Sequence, residues 1–82
     1  MYEIDSITIK NKLTSLKNRL LKLDGKIMVR TFNKYDREWY SGDVRECIYW
    51  IEYWIKWESY KTSLDPLREA NRYTRWLNDN GY

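Results

Sequence analysis

The sequence predicts a mainly α fold: a compact three-helix domain with a short β-hairpin or ordered loop between helices 1 and 2. Apolar residues recur at alternating four- and three-residue steps from Ile9 to Ile27, which keeps them on one helical face. From Val44 a second helical stretch is apolar on nearly every side, the pattern of a helix at the centre of its fold. Helix-starting residues stand ahead of three stretches: Asp5 or Ser6, then Ser41-Gly42-Asp43, then Asp65-Pro66. At 82 residues the chain has room for one domain, spanning 1–82.

The first helix carries the seam Ile9, Leu13, Leu16, Leu20, Leu23 and Ile27. Asp5 or Ser6 caps its start by accepting an orphan backbone N–H. Its end is expected near Leu23, where Asp24-Gly25 supplies a stop through a left-handed glycine. Residues 26–42 then alternate in the manner of strands. Lys26 to Phe32 is rich in strand formers, Asn33-Lys34-Tyr35-Asp36 reads as a turn, and Arg37 to Tyr40 returns. The second helix is expected over roughly Val44 to Thr62. Asp65 is the expected cap of the third, with Pro66 at a position where its missing N–H is harmless. Asn80-Gly81 closes it.

At about 100° per residue the second helix divides into sectors. Val44, Ile48, Ile51 and Ile55 form an aliphatic stripe suited to the leucine seam of the first helix. Beside it lie Cys47 and then Trp54, Trp50 and Trp57, followed by Tyr53, Tyr60 and Tyr49. Only Arg45, Glu52 and Lys56 make a continuous polar strip. Two helices and a hairpin leave the tryptophan and tyrosine sectors competing for cover. Trp and Tyr offer large, rigid contact area and dominate binding hot spots. Trp50, Trp54, Trp57, Tyr53 and Tyr60 are therefore the candidate partner-binding anchors, with burial in the core as the competing reading.

A second candidate lies on the third helix. Arg68, Arg72 and Arg75 fall on one strip, opposite the inward residues Leu67, Ala70, Thr74 and Leu77. Guanidinium groups in a row can hold phosphates or carboxylates through bidentate hydrogen bonds; a solvated face with Glu69 and Asp79 nearby is the competing reading. Net charge is only +3, and residues 1–26 supply all of it with six Lys/Arg against three acids. The remainder balances at nine against nine.

Catalysis is not expected. Histidine, the commonest general acid–base group, is absent. Glycines occur only at 25, 42 and 81, which excludes a glycine-rich phosphate loop. The lone Cys47 cannot form an intramolecular disulfide or a cysteine-rich zinc site, and it fits a cytoplasmic protein. No calcium-loop pattern is present, so no cofactor or metal is expected. The N-terminus lacks a secretory pattern, and the most apolar stretch is too short and too charged to span a bilayer.

These features point to a small non-catalytic module. A protein partner is the first expectation, nucleic acid held by the arginine strip the second, and a homodimeric structural role the third. Ile, Lys, Asn and Tyr make up 29 of the 82 residues and Trp plus Tyr thirteen. That bias suits AT-rich phages and mobile elements. The narrower expectation is an accessory inhibitor of a bacterial defence or nucleic-acid-processing enzyme, of the anti-CRISPR kind.

Overall fold

The computed structural model describes residues 5–82. Five elements and one short turn follow in order: α1 (Ser6–Leu21), β1 (Met28–Phe32), β2 (Glu38–Asp43), α2 (Val44–Lys56), a 3-10 turn (Ser59–Lys61) and α3 (Asp65–Asp79). The fold is mainly α, with the two strands forming an antiparallel hairpin between α1 and α2. Among the described residues, no helix is long and apolar enough to cross a membrane.

α1 begins where its cap is. The Asp5 carboxylate accepts from the Ile7 N–H at 3.0 Å. Ile9, Leu13, Leu16 and Leu20 are buried, the seam expected from the sequence. The helix ends at Leu21 rather than Leu23, and not through a left-handed glycine, since Gly81 is the one positive-φ glycine among the described residues. Gly25 instead permits a close approach. A Cβ there would sit 2.5 Å from Arg45 Cγ, while its carbonyl accepts from the Arg45 N–H at 3.3 Å. Val44 N–H also donates to Ile27 O at 2.9 Å. These bonds tie the loop after α1 to the first turn of α2, whose own cap is the Asp43 carboxylate accepting from Glu46 N–H at 2.9 Å.

The hairpin turns at Asn33. Its side-chain oxygen accepts from Tyr35 and Arg37 N–H groups, and Asp36 adopts the left-handed conformation. The ladder pairs Thr31 with Tyr40 and Phe32 with Glu38, so Trp39 is the extra residue of a bulge. Freed from cross-strand pairing, the Trp39 indole reaches α3, where its N–H donates to Glu69 Oε1 at 2.6 Å. Beneath it the Tyr40 ring packs on Tyr73 with centroids 5.6 Å apart.

α2 stops at Lys56, six residues before the expected end. Glu58 takes the left-handed conformation and turns the chain. The consequence falls on Tyr60. A continuous helix would place it seven residues on from Tyr53, on the same solvent-facing side. The break swings it inward, where it is 6% exposed.

The start of α3 also differs from expectation. Asp65 is the first helical residue and not the cap, Leu64 holds the cap position without a side-chain hydrogen bond, and the Ser63 hydroxyl before it accepts from Asp65 N–H at 3.1 Å. Leu67, Ala70 and Leu77 face inward as expected; Tyr73 is buried with them, while Thr74 is only half-buried. At the far end Gly81 N–H donates to Asn78 O and Tyr82 N–H to Leu77 O. With Gly81 at positive φ this is a Schellman motif, and the Tyr82 ring stacks on Trp76 with centroids 5.5 Å apart.

Candidate interaction surface

The core takes one side of α2. Val44, Cys47 and Ile51 are fully enclosed, with Ile48, Trp54 and Ile55 half-buried against them. Cys47 lies near Tyr40 and Tyr73, and burial pushes its thiol up to about 12, partly offset by those tyrosine hydroxyls. A thiol so raised is a packing group and not a nucleophile at neutral pH.

The opposite side is aromatic and open. Tyr49, Trp50, Tyr53 and Trp57 are 62%, 41%, 43% and 63% exposed. They form a ladder along the helix, each ring against the next. Tyr49 meets Trp50 edge-on at 5.5 Å, Trp50 meets Tyr53 edge-on at 5.8 Å, and Tyr53 meets Trp57 at 6.4 Å. Lys56 places its ammonium 5.4 Å from the centre of the Trp57 ring. These contacts favour ring orientations already adopted before any partner arrives, which lowers the ordering cost of binding.

Size bears on what the surface can do. Aromatic side chains present roughly 150–250 Å² each, so four rings about half exposed offer roughly 400–500 Å². A monomer's largest apolar patch is about 300–600 Å² and is often functional. The ladder is of that size.

The structure divides the five candidate anchors. Trp50, Tyr53 and Trp57 share the open face. Trp54 is half-buried against the core, and Tyr60 is a core residue beyond the end of α2. Tyr60 is thereby removed from the set of surface anchors, for the geometric reason given by Glu58. Tyr49, which was not among the candidates, joins the ladder. Its spacing of four from Tyr53 was the signal for it.

The arginine strip is real in position but not in charge. Arg68 pairs with Asp65 at 3.7 Å, Arg72 with Glu69, and Arg75 with Asp79 at 3.7 Å. Arg72 also lies over the Trp39 ring, 4.6 Å from its centroid. A cleft of about 660 Å³ runs between β1 and α3, with Arg30, Phe32, Arg72, Arg75 and Trp76 among its walls. Its arginines are compensated too, Arg30 by Glu38 at 3.0 Å. Thr31 lines the same cleft, and its buried hydroxyl has no hydrogen-bond partner among the described residues.

Comparison with protein-family models, curated proteins and solved structures gives no match. The functional reading therefore rests on the geometry of these surfaces.

Proposed function

We propose that this protein is a non-catalytic protein-binding module that engages its partner through the ladder of Tyr49, Trp50, Tyr53 and Trp57. The observation that carries this reading is the outward placement of four contiguous, mutually packed rings on a helix whose other side already fills the core. Leaving those rings in water sacrifices burial worth about 25 cal/mol per Å², and a partner surface recovers it. The patch favours a different protein over a second copy. Two ladders facing each other would bury roughly 900 Å² in total, under the ~1,200 Å² lower bound of stable interfaces. A larger partner can cover the polar rim as well.

Within this reading, inhibition of a bacterial enzyme by surface occupation is the specific role that small size and codon-biased composition favour. The test is capture from a bacterial lysate with the wild-type chain and with the Trp50→Ala/Tyr53→Ala/Trp57→Ala variant. A protein retained by the first and lost by the second, with both chains folded, supports the reading. Equal capture by both contradicts it. If the captured protein is an enzyme whose activity falls on adding the wild-type chain, the inhibitor role follows.

A further inference from the structure

A second surface, independent of the aromatic ladder, lies on another part of the molecule. The two flanks of α1 meet different neighbours: Lys17 reaches Glu52 of α2 at 3.7 Å, while Arg19 reaches α3, donating to Asn78 Oδ1 at 3.0 Å. Between α1 and α3 runs a shallow groove of about 410 Å³. Lys12 and Arg19 supply its charge. Asn11, Ser15 and Asn71 supply its uncharged hydrogen-bonding groups, the Thr74 hydroxyl donating instead to Ala70 O at 2.8 Å, and among the described residues no carboxylate lines it. Lys22, three residues past Arg19, caps the helix just beyond the residues that line the groove. Lys12 to Lys22 covers about 15 Å at 1.5 Å per residue.

This surface differs from the α3 strip in the respect that matters for anions. Arg68, Arg72 and Arg75 each face a carboxylate. Among the described residues, Lys12, Arg19 and Lys22 form no ion pair. Asn78 fixes the direction of the Arg19 guanidinium without neutralising it. Lys, Arg, Ser, Thr and Asn are also the side chains that contact phosphates and sugars in nucleic-acid complexes.

We infer that the α1/α3 groove is a docking surface for the phosphate backbone of a nucleic-acid duplex. The lining selects the duplex: single strands are held by bases stacking on aromatic rings, and among the described residues no aromatic side chain lines this groove. A ridge of phosphates whose bases stay stacked inward needs only cations and neutral donors. The contact reads no sequence.

The experiment is fluorescence anisotropy with a labelled short DNA duplex, titrated with the full chain at several salt concentrations. Three phosphate contacts give a slope of log K against log salt near −2.7, at about −0.9 per contact. The Lys12→Gln/Arg19→Gln/Lys22→Gln variant is expected to bind at least tenfold more weakly with an unchanged melting temperature. Arg68→Gln/Arg75→Gln is expected to stay within twofold of wild type. Should the triple variant fail to fold, Lys12→Gln alone, expected to bind about threefold more weakly, carries the test. No duplex binding at low salt, or binding indifferent to these lysine and arginine changes, overturns the inference. So does tighter binding of the matching single strand. Displacement of the duplex by polyglutamate at a charge ratio below one would assign the groove to acidic proteins and overturn it as well.

Discussion

The Arg72 guanidinium lies over the Trp39 indole, 4.6 Å from the ring centroid, and both side chains share Glu69. Arg72 is its ion-pair partner and the indole N–H its hydrogen-bond donor. This three-residue clasp joins the bulge of β2 to the middle of α3. It also shows why the arginine strip is not three equivalent cations, because its central member is structural.

Truncating either side of the clasp is expected to loosen the hairpin from α3. A double-mutant cycle on Trp39→Ala and Arg72→Ala should return a coupling of about 1 kcal/mol, the scale of a partly exposed cation–π contact. Additive losses in urea denaturation would show that the two residues do not act together.

Tyr60→Ala is expected to destabilise the chain by about 3–5 kcal/mol, as removal of a large buried ring does. Trp57→Ala, whose ring stands in solvent at 63% exposure, is expected to change stability by under ~1 kcal/mol. Thermal melts of the two variants check this ordering. Equal losses would mean that the break in α2 at Glu58 does not separate a core tyrosine from a surface tryptophan.

Gly25, ahead of the hairpin, and Gly42, inside β2, are both expected to resist replacement by alanine. At Gly42 a new Cβ would stand 2.6 Å from Glu46 Oε2 and 2.8 Å from Tyr40 Cζ. The Tyr40 ring is held against Tyr73 and cannot move aside freely. Gly42→Ala should therefore lose about 1–3 kcal/mol, the range for overpacking. At Gly25 the obstacle is Arg45 Cγ at 2.5 Å, near the root of a side chain whose backbone N–H is bonded to Gly25 O, and Gly25→Ala should also lose about 1–3 kcal/mol. A loss under ~0.5 kcal/mol at either position in denaturant titrations would contradict the packing described.

Stability is expected to fall at alkaline pH. Burial raises the Cys47 thiol to about 12 from its ordinary 9.0, and it pushes the Tyr40 and Tyr73 hydroxyls well above their ordinary 10.0. In the folded chain all three hold their protons more tightly than in the unfolded chain. Their contribution is thus complete below about pH 9 and is lost as pH rises through the folded values. Denaturant midpoints should be flat from pH 7 to 9 and decline above it. The same burial should keep Cys47 unreactive toward iodoacetamide at pH 8 until the chain unfolds.

Much of this was legible in the residues. The leucine seam of α1, the hairpin turn at Asn33 and the closing Gly81 follow from local spacing and cap chemistry, and local rules suffice for them. The apolar circumference of α2 left two outcomes open, its rings covered by the third helix and hairpin or some of them left in solvent. Which rings these are depended on tertiary events that period cannot express. The left-handed Glu58 moves Tyr60 from the open face into the core, and Tyr73 enters the core against Tyr40. The carboxylates beside Arg68, Arg72 and Arg75 stand three or four residues away and were visible in the sequence. Their effect became plain only with Trp39 drawn in from a distant bulge. The groove between α1 and α3 had no sequence signal, since its walls come from residues more than fifty positions apart.

Affinity measured against stability, for single alanine replacements of Tyr49, Trp50, Tyr53 and Trp57 with the captured partner, tests the account most directly. Hot-spot rings contribute about 2 kcal/mol or more, equivalent to roughly 30-fold in Kd. At least two of the four variants should show that loss while melting within about 2 °C of wild type. Affinities that fall only in step with melting temperature would return these rings to the core, and the α2 face would have no partner to meet.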